Sequence, residues 1–216
     1  MRAFTDRMVD VLSGLNRRVE RSGDRKLVDD VFDQCLVATL STVIEGQPWS
    51  VPLLVARDGD RLLVHGSTGA GALRHVAEGA PVAISAYVLD DIVIAERQFD
   101  HSANYRSAVV RGTCRRVGED DIAAALNCFT DTLLAGRSQE CPSHAPKEIA
   151  ATMVLELAIT ENNWVSKQRQ GPPASPSDSD TWTGVIPVKQ NFGPPASDSC
   201  QPVPRSVEEF IAKRSS

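Results

Sequence analysis

Apolar and polar residues alternate in short runs over most of this chain, and turn residues separate the runs. Alternation with a period of two is typical of strands that bury one face. Seven runs are therefore predicted to be strands: Cys35–Thr42, Trp49–Ala56, Arg61–His65, Val82–Leu89, Ile92–Glu96, Ser107–Val117 and Met153–Ile159. The turn sequences Glu45-Gly46 and Asp58-Gly59-Asp60 predict hairpins between the first three strands.

A helical period appears in three places. The apolar side chains of residues 24–34 are predicted to lie on one helix face. Asp24 begins this segment, and aspartate is a residue type that caps helix N-termini. Residues 70–78 and Glu119–Leu134 are the other two predicted helices. Because strands do not alternate regularly with helices, the order predicts a mainly β fold, an antiparallel barrel with helical insertions, and disfavours a Rossmann sheet.

The third predicted strand runs directly into a glycine-rich turn and a helix, Val64-His-Gly-Ser-Thr-Gly-Ala-Gly-Ala-Leu73. Backbone N–H groups at a helix N-terminus attract anions, and glycines allow a ligand to approach the backbone closely. Without a surrounding βαβ unit the segment is not a dinucleotide fingerprint. Glycine-rich turns are also common as plain connections, so the segment alone leaves two interpretations, an anion site or a simple turn.

Composition excludes several classes of function. The chain has 216 residues and a net charge of −5, so we expect one domain with a tail and no nucleic-acid partner. Its five cysteines are scattered without a C-x-x-C pair, so no metal site is predicted and a reduced, cytoplasmic protein is expected. The charged N-terminus and the short apolar runs predict neither a signal peptide nor a membrane segment.

We expect three regions along the chain. Residues 1–23 are charged and are predicted to form a helical arm, residues 24–170 the barrel, and residues 171–216 an extension rich in proline and serine. Within the extension, Trp182–Val188 is an apolar island. Such an island is expected to dock on the barrel, on a partner subunit or on a ligand.

Five segments follow one another in a characteristic order: Gly46–Leu53, Val64–Leu73, His101–Gly112, Ser166–Pro173 and Trp182–Pro187. Together they resemble the FMN-binding split-barrel proteins related to pyridoxamine 5′-phosphate oxidase. The branch they resemble most is that of flavin-nucleotide-binding and nitroimidazole-resistance-like proteins. This resemblance favours the anion-site interpretation of the glycine-rich turn.

The resemblance implies a homodimer with FMN at the subunit interface, where a small organic substrate would also bind. It assigns the second strand to the flavin ring, the third strand and the following turn to the ring edge and phosphate, and Ser107 to the dimer seam. The cofactor-binding residues expected from it are Ser50, Val51, Pro52, Leu53, His65, Gly66, Ser67, Gly71, Ala72, Ser107 and Trp182.

One departure from the family pattern concerns the phosphate. Relatives carry Arg-Lys or Gly-Lys at the helix start, whereas this chain has Gly71-Ala72. The candidates to replace the lysine are Arg74, one turn later, and Lys167 or Arg169 from the later segment. Weak binding, FAD or haem in place of FMN, and a phosphate held by backbone N–H groups are the alternatives.

No pair of residues stands out as an acid–base or nucleophile–base pair, which fits chemistry carried by a cofactor. The first hypothesis is an FMN-dependent oxidoreductase that passes two electrons from a reduced donor to a small organic acceptor or to oxygen. The alternatives are a non-catalytic flavin carrier, a haem-binding module with His65 or His101 as ligand, and a structural dimer with an empty groove. Pyridoxamine phosphate oxidase activity itself is not expected, since a fold does not determine function.

Overall fold

Nine strands form one curled antiparallel sheet in the computed structural model, which describes residues 18–174 and 180–214. The strands are β1 Val37–Ile44, β2 Gln47–Asp58, β3 Arg61–Ser67, β4 Pro81–Ile94, β5 Ser102–Thr113, β6 Arg115–Arg116, β7 Thr152–Ala158, β8 Trp164–Arg169 and β9 Gly184–Pro187. Their order in the sheet is β6-β7-β3-β2-β1-β4-β5-β8, and β9 pairs with β4. The predicted mainly β architecture is confirmed.

Both predicted hairpin turns are present. Glu45 and Gly46 have φ angles of 50° and 78°, so they form the two-residue connection between β1 and β2. Positive φ at both central residues matches the right-handed twist of the flanking strands. Gly59, with φ of 57°, lies in the turn between β2 and β3.

The described residues also form five α-helices: α1 Arg25–Gln34, α2 Gly71–Ala77, α3 Ile122–Leu133, α4 Pro146–Ala151 and α5 Arg205–Arg214. Asp24 Oδ1 accepts a hydrogen bond from the Leu27 amide at 2.9 Å, so the predicted cap of α1 is confirmed. Val28 and Phe32 of α1 are fully buried in one core with inward strand residues such as Leu40. Helix α1 therefore packs into the interior of the curled sheet.

A smaller core lies on the outer face of the sheet. Helix α3 packs Leu126 and Phe129 against Ala56 of β2, Leu63 of β3 and Val154 of β7. This helix covers only one part of the outer face. On β1, β2 and β4, outward apolar side chains of the described chain remain exposed, among them Val37 by 53%, Val43 by 55%, Leu54 by 37% and Tyr87 by 72%.

The sheet splits between β2 and β3. The two strands pair only from Val55 to Asp58 on β2, although β2 continues to pair with β1 back to Gln47. The other edge of β3 pairs with β7 along the whole strand, from Arg61 to Ser67. In the described chain, the stretch of β2 from Gln47 to Leu54 therefore has an edge without a strand partner, and the gap between this edge and the end of β3 is here called the cleft.

The C-terminal extension contacts the barrel of its own chain. Strand β9 pairs with Asp91–Ile94 of β4, and the Val188 amide donates to the Asp90 carbonyl at 2.8 Å. At the start of α5, the backbone amide and hydroxyl of Ser206 donate to the Glu140 carboxylate at 3.1 and 2.6 Å. The predicted apolar island thus contributes a strand to the sheet.

Several predicted strand limits are wrong. Val82–Leu89 and Ile92–Glu96 are parts of one strand, β4, which is interrupted by a bulge between Leu89 and Asp91. Cys35 does not belong to a strand, because its amide donates to the Val31 carbonyl at 3.0 Å and ends α1.

Other elements begin elsewhere or were not predicted. Strand β5 begins at Ser102 instead of Ser107 and ends at Thr113. The predicted helix Glu119–Leu134 begins as a 3₁₀ turn and continues as α3. Strands β8 and β9 follow β7 and were not predicted, and α4 and α5 were also missed.

The predicted N-terminal arm is described only in part. Residues 1–17 lie outside the described residues, and Val19–Arg21 form a 3₁₀ turn. Among the helices of the described chain, none combines the length and apolar character needed to cross a membrane.

Candidate functional site

The residues predicted to contact the flavin ring are divided between two faces of the sheet. Val51 and Leu53 are half-buried against the main core, whereas Ser50 and Pro52 are exposed on the outer face. On β3, His65 is outward, because alternate residues share a face and Leu63 lies under α3. Ser50, Pro52 and His65 therefore border the cleft from the outer side.

A hydroxyl pair that sequence reasoning missed lies beside the cleft. Ser41 Oγ on β1 and Ser50 Oγ on β2 are 2.8 Å apart, and the two residues are direct cross-strand partners. Because one hydroxyl donates to the other, Ser41 can orient the Ser50 hydroxyl. Only the pairing register reveals this contact, since the two residues are nine positions apart.

The turn after β3 uses two of its own backbone amides for internal hydrogen bonds. The Ala70 amide donates to the Ser67 carbonyl at 3.0 Å, and the Gly69 amide donates to Ser67 Oγ at 3.2 Å. No side chain caps α2 at Ala70, and a side chain at Gly71 would point into open space. The amides of the first turn of α2 thus lack a capping side chain.

Gly66 has a packing role in the same segment. A Cβ atom built at Gly66 would lie 2.4 Å from Leu73 Cδ1, so the missing side chain allows β3 to approach α2 closely. This contact sets the position of the turn relative to the strand.

The three candidate cations are not gathered around this turn in one chain. Arg74 lies on α2 and is exposed. Lys167 and Arg169 lie on β8, which β2, β1, β4 and β5 separate from β3 in the sheet order. Arg169 also donates to Asn104 Oδ1 at 2.7 Å. Within one chain, Arg74 is therefore the candidate on the element that follows the turn.

The histidine at the cleft has a distinctive environment. The His65 ring is half-buried and meets the Phe129 ring edge to face, with centroids 4.4 Å apart. Burial lowers the pKa of His65 below its ordinary value, which favours the neutral imidazole. His101, the alternative ligand, is exposed, and its Nδ1 lies 2.9 Å from the Arg97 carbonyl.

Two further predicted residues lie away from the turn. Ser107 of β5 pairs with Tyr87 on one side and with Lys167 on the other, on the outer face of the sheet. Trp182 is exposed, and its ring lies against Gly184 at the start of β9. One chain therefore does not bring Ser107 or Trp182 next to the glycine-rich turn by any contact described here.

Within residues 18–174 and 180–214, no group of three or more potential metal-ligating side chains lies together. The site instead combines an open strand edge, a turn with backbone donors and one half-buried histidine. Such a set can bind and orient a cofactor, and it contains no obvious nucleophile.

The fold agrees with the comparisons to known proteins. A family model described as pyridoxamine 5′-phosphate oxidase matches residues 24–163. The chain belongs to this family. The predicted family and the split-barrel fold are thus confirmed. A comparison with curated proteins gives no match.

Three solved structures are similar to this chain. The FAD and haem binding protein from Mycobacterium smegmatis has a TM-score of 0.84 and 37% identity, covering 88% of this chain and 96% of that one. The flavocytochrome Anf3 from Azotobacter vinelandii has a TM-score of 0.81 and 27% identity, covering 89% and 93%. A candidate 5-nitroimidazole antibiotic resistance protein from Bacteroides thetaiotaomicron has a TM-score of 0.57 and 16% identity, covering 67% and 84%, and shows the fold alone.

Membership in this family supports flavin binding in general. The names of the first two structures do not single out FMN, because one gives FAD and haem as ligands and the other denotes a protein with flavin and haem. FMN, as the particular flavin expected from the sequence, is therefore not established.

Proposed function

We propose that this chain is a flavin-binding redox protein that holds FAD together with haem in a homodimer. The observation that carries the proposal is the 37% identity, over 88% of this chain, to a protein that binds FAD and haem. The similarity to a flavocytochrome supports the same pair of cofactors. FMN is the second candidate flavin, favoured by the resemblance of the sequence segments.

Charge at the turn after β3 favours FAD over FMN. The phosphate monoester of FMN carries about −1.5 to −2 charges at neutral pH, whereas each phosphate in the diphosphate of FAD carries one. Gly71-Ala72 supplies no side-chain cation, and backbone N–H groups offer only partial positive charge. A turn of this kind suits the phosphate with the lower charge.

The flavin ring fits the cleft where β2 and β3 separate. The unpaired edge of β2 from Gln47 to Leu54 offers backbone C=O groups and fewer N–H groups, because Pro48 and Pro52 have none. These groups can pair with donors and acceptors along the pyrimidine edge of a flavin. Ser50 and His65 border the same cleft. When bound, the flavin supplies hydride or electron transfer, and the chain positions it and sets its electrostatic surroundings.

The uncovered outer face supports the homodimer. Val37, Leu54 and Tyr87 expose apolar surface there, and contiguous apolar surface of this kind marks interaction sites. A second copy on this face would cover the cleft and bring Ser107 and Lys167 of β5 and β8 towards the flavin of its partner. Lys167 would then supply the missing cation from the other subunit.

Replacing Tyr87 tests the homodimer. We expect Tyr87→Asp to weaken the dimer in sedimentation analysis and to weaken flavin binding in parallel, because a charge would be buried in the interface. A monomer with unchanged flavin affinity would show that the site is complete in one chain.

His65 is the proposed haem ligand. Its imidazole is half-buried and its pKa is lowered, so nitrogen with a free lone pair is present at neutral pH. His101 is exposed and its Nδ1 lies near the Arg97 carbonyl, so it is the less suitable ligand. We expect His65→Ala to lose the Soret band, and His101→Ala to keep both the Soret band and the flavin bands.

The cofactors are identified by spectroscopy and by extraction. The purified protein is expected to show visible flavin bands and, after haem addition, a Soret band, and acid release is expected to yield FAD. If acid releases FMN, the bound flavin is FMN, the second candidate, and not FAD. A protein that retains no flavin and does not bind added FMN or FAD would refute the proposal.

Arg74 is tested by a matched pair of variants. We expect Arg74→Gln to weaken flavin binding about tenfold, the loss of one charge-assisted hydrogen bond. Lys147→Gln is the control, because Lys147 lies on α4 and is also exposed. This variant is expected to leave the flavin affinity unchanged. If both variants bind flavin like the parent chain, Arg74 does not hold the phosphate.

The proposed redox role includes oxidoreductase activity on a small organic acceptor. It predicts that some acceptor re-oxidises the reduced protein faster than it re-oxidises free flavin. If no member of a broad panel does so, the chain is a flavin carrier.

A further inference from the structure

A groove of about 940 Å³ lies between the barrel and the C-terminal extension, and it shares no lining residue with the predicted flavin site. Its walls come from the end of α1, the start of β1, the middle of β4 and the segment that follows β9. Small-molecule sites typically measure about 300–1,000 Å³. The groove is therefore large enough for a ligand of several rings.

One wall of the groove is a gap in the pairing of β4. Strand β5 occupies one edge of β4 along Pro81–Val93, so β1 and β9 must share the other edge. There, β1 pairs with residues 83–85 and β9 with residues 91–94. Residues 86–90 have no strand partner on this edge in the described part of the chain. A strand edge presents a row of backbone N–H and C=O groups.

Backbone contacts at the two ends of the gap keep it open on the groove side. The Cys35 thiol donates to the Tyr87 carbonyl at 3.3 Å, and the Val188 amide donates to the Asp90 carbonyl at 2.8 Å. Between them lie Val88 and Leu89, both of which line the groove. Backbone groups of successive strand residues point to opposite edges, so Val88 faces β5, and a flat ligand with a hydrogen-bonding edge can pair with the backbone of Leu89.

A charged pair is aimed at the groove by the bulge in β4. The bulge leaves Asp90 without a cross-strand partner, since Leu89 pairs with Tyr105 and Asp91 with Asn104. Bulges of this kind re-aim a side chain. Here the Asp90 carboxylate accepts from Arg106 Nη2 at 2.7 Å and from Arg106 Nε at 3.1 Å.

Arg106 keeps donors for a ligand. A guanidinium has five N–H donors, and the hydrogen bonds described for Arg106 use only Nε and Nη2, both towards Asp90. The two N–H groups of Nη1 are thus available, held in a fixed plane by the Asp90 pair. Lys213 of α5 lines the same groove and adds a second cation. Since Asp90 balances Arg106, the lining carries a net charge of about one positive unit.

Aromatic side chains contribute apolar area on both sides of the groove. Tyr87, which also belongs to the proposed dimer face and would border the groove there, lines it from the barrel, and Phe192 lines it from the extension. The Phe192 ring is held edge to face against Phe210 of α5, with centroids 4.8 Å apart. Aromatic walls favour flat, conjugated ligands.

We propose that this groove binds a flat, conjugated small molecule that carries one acidic group. The acidic group contacts Nη1 of Arg106 and the Lys213 ammonium, and the ring edge pairs with the backbone of Leu89. That the ligand exchanges electrons with the flavin rests on the proposed function, whereas the binding itself does not.

Two fluorescent probes test the site on the full chain, with FAD and haem added in excess to occupy any cofactor sites. Anilinonaphthalene sulfonate is flat, conjugated and anionic, and phenylnaphthylamine is its neutral counterpart. We expect Lys213→Gln and Arg106→Gln each to weaken sulfonate binding about tenfold, with the neutral probe unaffected. The control variants Lys147→Gln and Arg111→Gln, which lie outside the groove, are expected to bind both probes like the parent chain.

Lys213→Gln decides the outcome if Arg106→Gln fails to fold, because Lys213 is exposed on the last helix. Unchanged sulfonate affinity in Lys213→Gln, or an equal loss for both probes, overturns the proposal. Flavin binding is followed separately by its visible absorption. A chain that binds the sulfonate through Lys213 but takes no flavin would keep the groove and refute the proposed function.

Discussion

Replacing Asn163 should open the barrel at the point where its sheet closes. The Asn163 side chain is 9% exposed and lies in the turn between β7 and β8. Its Nδ2 donates to the carbonyls of Arg111 and Ala158, each at 2.8 Å, and its Oδ1 accepts from the Thr160 amide at 2.8 Å. One side chain thus connects β5 with β7 and with the turn that follows.

The magnitude follows from these three bonds. Asn163→Ala removes all of them and leaves one amide and two carbonyls with fewer partners in a partly buried place. At about 1 kcal/mol for each lost bond, we expect the free energy of unfolding to fall by about 3 kcal/mol. Because domains of this kind are stable by about 5–15 kcal/mol, the variant should still fold.

Urea unfolding followed by tryptophan fluorescence measures this loss. The slope of the transition should stay unchanged, since the surface exposed on unfolding is the same. Asn127→Ala is the control, because that exposed amide contacts only the His144 ring in the bonds described here, and it should cost less than about 0.5 kcal/mol. A loss of less than about 1 kcal/mol in Asn163→Ala would show that Asn163 does not hold β5 and β7 together.

Three further predictions concern stability and reactivity. Asp24→Ala should lower the free energy of unfolding by about 1 kcal/mol through loss of the cap on Leu27, and Asp24→Asn should restore most of it in thermal melts. Burial raises the pKa of Cys114 to about 12, so mass spectrometry of the folded protein should show iodoacetamide on exposed Cys141 long before it appears on Cys114. Burial lowers the pKa of His65, so its neutral form favours folding above the ordinary histidine pKa of about 6.5, and that contribution is lost as the pH falls below this value. His65→Gln should therefore lose stability less steeply than the parent chain in urea titrations between neutral and acidic pH, and equal slopes would contradict this assignment.

Local sequence patterns were sufficient to predict the helices, turns and strands that depend mainly on their own residue types. The α1 cap at Asp24, the turn at Glu45-Gly46 and the first three strands follow from residue types within a few positions of each other. Strand β8 was missed because Ser166-Lys-Gln-Arg169 lacks a strong apolar alternation, and it is a strand because β5 supplies its hydrogen-bonding partner. Strand β9 is only four residues long and depends in the same way on β4.

The sequence predicted which residue types belong to the candidate site, but it did not predict how these residues are arranged in space. The family resemblance pointed to residues on β2, β3, β5 and β8, but no local signal shows which of them share a face. The Ser41–Ser50 contact and the Asp90 bulge depend on cross-strand register, which forms only when distant segments pair. Register is therefore the physical information that the sequence pattern did not contain.

The distribution of cations connects the proposed flavin site to the proposed dimer. One chain offers Arg74 near the turn after β3, whereas Lys167 lies on β8 with β2, β1, β4 and β5 between. A two-fold dimer uses the same surface patch on both subunits, so packing outer face on outer face would bring β5 and β8 of one copy towards β2 and β3 of the other. Such a dimer would form two equivalent flavin sites, each with a turn from one chain and a lysine from its partner. Flavin binding and dimer formation would then be coupled, because each phosphate could reach its full set of donors only across the interface.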